Sequence, residues 1–363
     1  MSNSIISIAP ARICLYGDHQ DYLNLPIIAI AIDRYIKVEA KSNLAEGFYI
    51  NKLDLGKQDI IDYHKEFNPK SKIDFLRIAL KVLNKHGCVP NKGYDINISS
   101  NIPINSGLSS SSALTVAWIQ FLLKSFLPDK NIDYKILAEL AYETEVTETG
   151  SSGGNMDQYT ISHGDTIFLN TLNNKIHCYN YNFSNVDLVV GVSNDGKDTR
   201  GMLKKLKSNQ LLALKTISNS FSEFNVYDND SYDYNSCYES LDEDLKPYFK
   251  AVIKNFDVTK AADNELRKDT PDVDVLGKLM TKHHDLLRDE LKITTNEIDQ
   301  MINTCDSMGA YGSKIVGSGG GGSIVALCDK NISKGIVIKL KENGAKDAFI
   351  ASQSNGPNIK IHE

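Results

Sequence analysis

Residues 103–113 read PINSGLSSSSA, between an alternating segment, Tyr94–Ser99, and an apolar run at helical spacing from about Ser112 to Phe126. A strand, a Gly/Ser loop and a helix in direct succession restrict the fold strongly. Strand and helix must bury their apolar faces together. The loop then presents unpaired backbone N–H groups at the positive end of the helix dipole. Such a cradle suits a polyphosphate. One helix cap needs one serine, yet Ser109, Ser110, Ser111 and Ser112 follow one another behind Gly107 and Leu108. No Gly-Lys-Ser/Thr follows, so the loop is not of the Walker type, and it is not a dinucleotide fingerprint.

The flanking segments fill out an α+β pattern. Ile5–Ile13 is an apolar run broken by Pro10, Pro26–Ile32 is nearly all apolar, and Tyr35–Ala40 alternates, with a polar turn over Gly17–Asn24. These read as strands. Ser71–His86 has helical spacing and stops at Gly87, and a second helix is expected from about Tyr134 to Glu148. Leu188–Val192 reads as a short buried strand, and Asn225–Glu243, rich in Asp, Ser and Tyr, as a solvated loop. Further on, Gly277–Leu291 and Asn296–Met308 read as helices, and Ser313–Val316 and Ser323–Leu327 as strands. Helices and strands mix without a βαβ rhythm. A chain of 363 residues exceeds one ordinary core. Two domains are expected, 1–185 and 186–363.

Net charge is −6, which argues against nucleic acid as the main partner. Six scattered cysteines form no Cys-x-x-Cys pair and several lie in apolar runs, so free thiols in a reducing compartment are expected rather than zinc or disulfides. The N-terminal residues lack a signal-peptide pattern, and no segment approaches a membrane span. A cytoplasmic location is expected.

Three further stretches carry chemistry. Residues 9–22 read APARICLYGDHQDY, with Arg12, Asp18, His19 and Asp21 in one short polar turn; carboxylates accept hydroxyl protons, and histidine donates or accepts. Residues 150–158 read GSSGGNMDQ, and residues 317–323 read GSGGGGS, too open for a strand and placed between two that should pair.

Together these stretches resemble the signatures of the GHMP kinases, most closely those of the galactokinases. Pro103, Gly107, Leu108, Ser109, Ser110 and Ser111 match the second signature; Arg12, Gly17, His19, Asp21 and Tyr22 match the first, with Asp18 for glutamate and Ala11 for glycine; residues 317–323 resemble the third. Gly154, Met156, Asp157 and Gln158 match the galactokinase Gly-x-Met-Asp-Gln. The resemblance implies a ribosomal-S5-like N-terminal domain and a ferredoxin-like C-terminal domain. It implies ATP and magnesium as cofactors and transfer of the γ-phosphoryl to a sugar hydroxyl, most closely the anomeric hydroxyl of galactose or a related sugar. By the same resemblance, residues 107–112 bind ATP, Ser111 (with Ser110 behind it) and Glu145 hold magnesium, and Asp157 is the base that deprotonates or orients the hydroxyl, assisted by Arg12. Asp18, His19 and Asp21 face the sugar, and Gly317, Gly319 and Gly320 belong to a loop that supports the phosphate loop. A helix at Gly277–Ile293 matches moderately; its pair His283–His284 otherwise reads as an exposed face. Residues 193–200 replace the sugar-enclosing Ser-x-Tyr-Asn-x-Arg-Arg of galactokinases. Two alternatives stay open: a GHMP kinase for a heptose, uronic acid, arabinose or mevalonate-type acceptor, and an inactive sugar- and nucleotide-binding sensor.

Overall fold

A computed structural model describes residues 4–179, 185–195 and 199–362. Of the segment 193–200, Gly196, Lys197 and Asp198 lie outside the described residues. The first half contains β1 (Ser4–Tyr16), β2 (Ile27–Asn43), β3 (Gly47–Lys52), β4 (Lys57–Asp62), α1 (Phe75–Lys85), β5 (Gly93–Ser100), α2 (Ser110–Phe126), α3 (Tyr134–Tyr142), α4 (Met156–His163), β6 (Thr166–Asn170) and β7 (Lys175–Cys178). The second contains β8 (Val186–Val192), α5 (Thr199–Ser220), α6 (Tyr234–Glu239), α7 (Lys246–Leu266), α8 (Val273–Asp289), α9 (Asn296–Ser307), β9 (Gly312–Val316), β10 (Ser323–Asp329), α10 (Lys330–Glu342), β11 (Asp347–Ala351) and β12 (Asn358–His362).

One sheet of eight strands runs β12-β1-β2-β5-β3-β4, with β6 on β2 and β7 on β6. The two runs expected at Pro26–Ile32 and Tyr35–Ala40 are one strand, β2, paired along β1 with a register shift between Pro10 and Ala11. Proline has no N–H for the ladder, so a shift there lets the strand pass through it. α2 packs on β1 and β2. It is apolar on all sides because it is buried on all sides; Trp118 and Phe121 are fully covered.

The second sheet has the order β11-β8-β10-β9, antiparallel throughout. In chain order that is fourth-first-third-second. After β11 the chain leaves this sheet, and β12 pairs with β1. The stretch expected as a solvated loop, 225–243, is only partly that. It contains α6, and Cys237 and Leu241 are buried in a cluster with Phe249 and Phe256 of α7. Six residues are too few to display a helical period, so the tyrosine-rich composition dominated the reading. All six cysteines are free, five of them buried. No helix among the described residues is long and apolar enough to cross a membrane.

Candidate active site

Arg12 stands on β1, directly under the loop 103–109. Its Nε and one terminal nitrogen both reach Oδ1 of Asp157, each at 2.7 Å. Its other terminal nitrogen donates to the Gly107 carbonyl at 2.7 Å, and its backbone N–H to the Leu108 carbonyl at 3.3 Å. Arginine's planar fork is suited to this, holding a carboxylate and a loop at once. Asp157, in the first turn of α4, accepts a further hydrogen bond on Oδ2 from Ser109 Oγ. Ser109 is the residue before α2; its backbone is left-handed (φ 60°), not the extended form usual at a helix start, and its side chain caps nothing. It is turned onto Asp157 instead. Capping therefore does not account for this serine. The N–H groups of Ser110, Ser111 and Ser112 lie in the first helical turn, where no intrahelical acceptor exists.

Glu145 is placed by an irregularity that the sequence does not announce. The single helix expected over 134–148 ends as α3 at Tyr142 and passes into a π-helical turn, Glu143–Thr147, with the Glu148 N–H on the Glu143 carbonyl at 2.9 Å. The wider turn buries Thr144 and Glu145 side by side. Such turns are frequent at functional sites. The Glu145 carboxylate accepts from Ser112 Oγ at 2.6 Å, Thr115 Oγ1 at 3.0 Å and Gln158 Nε2 at 2.5 Å. Burial pushes its carboxyl up to about 7, with Asp157 adding to the rise against those three hydrogen bonds. Ser111, expected beside Glu145, is exposed; the hydroxyl that meets Glu145 is that of Ser112. Thr115 and Gln158 were not singled out for this role by sequence. Helical spacing from Ser111 to Thr115 was the available signal.

A magnesium ion fits these residues. A buried carboxylate ringed by three neutral donors, and pushed toward its neutral form, is short of positive charge. Magnesium favours one or two carboxylates together with hydroxyl, water and phosphate oxygens. Among the described residues no cluster of three or more His, Cys, Asp or Glu side chains forms a self-sufficient metal cage, and a nucleotide-borne ion needs none.

The turn after β1 divides in two. Asp21 faces Asp157: its Oδ2 accepts the Met156 N–H at 3.3 Å, and burial, then repulsion from Asp157, pushes its carboxyl up to about 6. A side chain at Gly154 would collide with Asp21, which explains the glycine. Asp18 points the other way, a correction to the expectation that it faces an acceptor. Its Oδ2 meets Lys314 Nζ at 2.5 Å and its Oδ1 accepts the Gly317 N–H at 3.0 Å. Burial alone would raise the Asp18 carboxyl, but Lys314, His283 and His19 together outweigh it and the result is about 2. Lys314, from β9, is fully buried and also donates to the carbonyls of Cys14 and Ile315. An ammonium so enclosed requires a partner anion, and Asp18 is that anion. His19 is likewise buried, with Nδ1 3.0 Å from the Tyr22 hydroxyl. The pair His283–His284 is buried, not an exposed face; burial, then neighbouring cations, pushes them down to about 3 and about 4.

The glycine loop after β9 is tied on both sides. Gly317 bonds to Asp18, and the Gly320 N–H reaches the Ile293 carbonyl at 2.7 Å. Gly319 has φ +82°, and a Cβ there would run into Ile293. Ser323, just beyond, donates to the Ser106 carbonyl at 2.7 Å and so joins this loop to the phosphate-type loop.

Comparison with known proteins follows this geometry. The chain matches the GHMP kinases N terminal domain over residues 74–165 and the GHMP kinases C terminal domain over residues 264–346. It is 26% identical to the mevalonate kinase of Thermococcus onnurineus over 348 residues, covering 91% of each chain. It is 27% identical to the galactokinase of Clostridium perfringens over 383 residues, covering 96% of this chain and 93% of that one. Among solved structures, Lactococcus lactis galactokinase complexed with galactose superposes with a TM-score of 0.85 at 20% identity, covering 98% of this chain and 95% of that one. The Methanococcus jannaschii mevalonate kinase gives 0.73 at 22%, covering 96% and 98%.

Proposed function

The chain belongs to the GHMP kinases, with their two-domain α+β fold, and on that premise we propose that it transfers the γ-phosphoryl group of ATP to the anomeric hydroxyl of galactose or a related sugar. GHMP kinases are phosphotransferases; sugar and mevalonate-type acceptors both occur among relatives of equal closeness. The observation that carries the finer reading is Asp157. It is held by Arg12 and Ser109 at the foot of the phosphate-type loop, and half-buried Asp21 lies beside it.

Phosphoryl transfer demands positioning and charge stabilisation more than covalent work. The loop 107–112 and the N-terminus of α2 would take the phosphates. Arg12 is close enough to the loop to stabilise charge on the transferred group while fixing Asp157. Asp157 accepts or orients the hydroxyl proton. Asp21 would accept a second hydroxyl of the acceptor. Glu145, with Ser112 or Ser111, would hold magnesium, which when bound neutralises phosphate charge. We place the domain division at 185/186, with β12 returned to the first sheet. A coupled assay of ADP release over hexoses, sugar acids, sugar phosphates and mevalonate tests the reading: galactose-dependent turnover supports it, and mevalonate-only turnover replaces the sugar with the mevalonate-type acceptor.

A further inference from the structure

A cleft of about 370 Å³ opens beside Asp21 and the helix-to-helix loop that leads into Asp157, with Gly154 and Asn155 in its wall. Two carboxylates, Asp21 and Glu139, line it. Asn155 and Tyr159 also line it, and behind its surface the buried Asn155 Oδ1 and Tyr159 hydroxyl have no hydrogen-bond partner among the described residues. Buried polar atoms are rarely left unmatched unless a ligand or water completes them. The two carboxylates suit hydroxyl groups, which donate to them.

The lining also includes one lysine. Lys207 reaches the cleft from α5. Its ammonium has two contacts, the Ser152 carbonyl at 3.4 Å and the Tyr22 ring at 5.6 Å from the centroid, and it pairs with no carboxylate among the described residues. A lysine that is not neutralised, aimed into a small polar cleft, is a receptor for negative charge.

We infer that the acceptor is a polyhydroxylated molecule carrying one anionic group, a carboxylate or a phosphate, which Lys207 binds. This rests on the phosphotransfer reading and narrows its substrate class. Binding energy gained at that anionic group would help to orient the reacting hydroxyl.

The test uses three matched acceptors, galactose, galacturonate and galactose 6-phosphate, with the wild-type protein, Lys207→Met and Lys207→Arg. In the wild type, kcat/KM for one charged acceptor should exceed that for galactose by about tenfold or more, the scale of one charge-assisted contact. Whether the carboxylate or the phosphate is preferred identifies the group. In Lys207→Met this preference should shrink about tenfold, mainly through KM of the charged acceptor, and Lys207→Arg should restore most of it. Equal or better use of galactose by the wild type, or a preference unmoved by Lys207→Met, overturns the inference. Calorimetric titration of the same three sugars separates the two readings. Charge-selective binding that is lost in Lys207→Met, without ADP release, upholds the cleft and defeats the kinase reading; no binding of any of the three defeats the cleft.

Discussion

Asp18→Asn is the sharpest test of how the two domains are joined. The substitution keeps size and one acceptor oxygen but leaves the Lys314 ammonium, fully buried, facing only carbonyl oxygens. Removing one partner of a buried pair costs about 3–5 kcal/mol. The carboxyl's displacement down to about 2 has the sign that a stabilising pair requires. With about 2–4 °C lost per kcal/mol, the melting temperature should fall by about 6–20 °C. Calorimetry at pH 7 measures this. The double variant Asp18→Asn, Lys314→Met should recover much of the loss, because no buried charge remains. The pH profile has a fixed sign. The folded-state pKa lies below the unfolded one, so the stability from Asp18 is fully present above about pH 4 and lost as pH falls toward 2. The single variant should lack that acid limb. A melting temperature within about 2 °C of wild type, together with a raised acceptor KM, would refute the buried-tie assignment and return Asp18 to the acceptor.

Asp157→Asn should lower kcat by about 10²-fold or more with the fold intact, as steady-state kinetics and circular dichroism would show. Glu145→Gln should do two opposite things. Glu145 is pushed up to about 7, so its neutral form favours folding below about pH 4.5 and that advantage is lost as pH rises to 7, reaching about 3 kcal/mol above it. The ligand-free variant should therefore melt higher than wild type at pH 8 but not at pH 4, while the melting shift produced by magnesium and ATP shrinks; a lower melting point at pH 8 would count against it. Asp21→Ala should raise the acceptor KM about tenfold or more and leave the ATP KM little changed; the reverse pattern would exchange the two pockets.

Local signals in the sequence marked most of what now stands at the site. The loop 103–113, the stretch GSSGGNMDQ around Asp157 and the glycines of 317–322 are all visible as short patterns, because each depends on backbone constraints set by its own neighbours. Asp18 was misread for the opposite reason. Its partner, Lys314, lies far along the chain on another sheet, and an exposed carboxylate and a buried paired one look alike in sequence. The choice of Ser112 over Ser111 beside Glu145 turns on the phase of a π-helical turn, which periodicity does not record. His283 and His284 were misread because their burial depends on β9 packing across α8. β12 on β1 is a pairing between the two chain ends, and no local pattern encodes it.

Release of ADP that requires ATP, magnesium and an acceptor together tests the central claim most directly. It is followed in a coupled assay, and phosphorus NMR locates the new phosphate. One phosphorylated acceptor per ADP is expected, on the anomeric oxygen of a sugar, with the rate lost in Asp157→Asn. ADP release indifferent to every hexose, sugar acid, sugar phosphate and mevalonate, or undiminished turnover in Asp157→Asn, would contradict it.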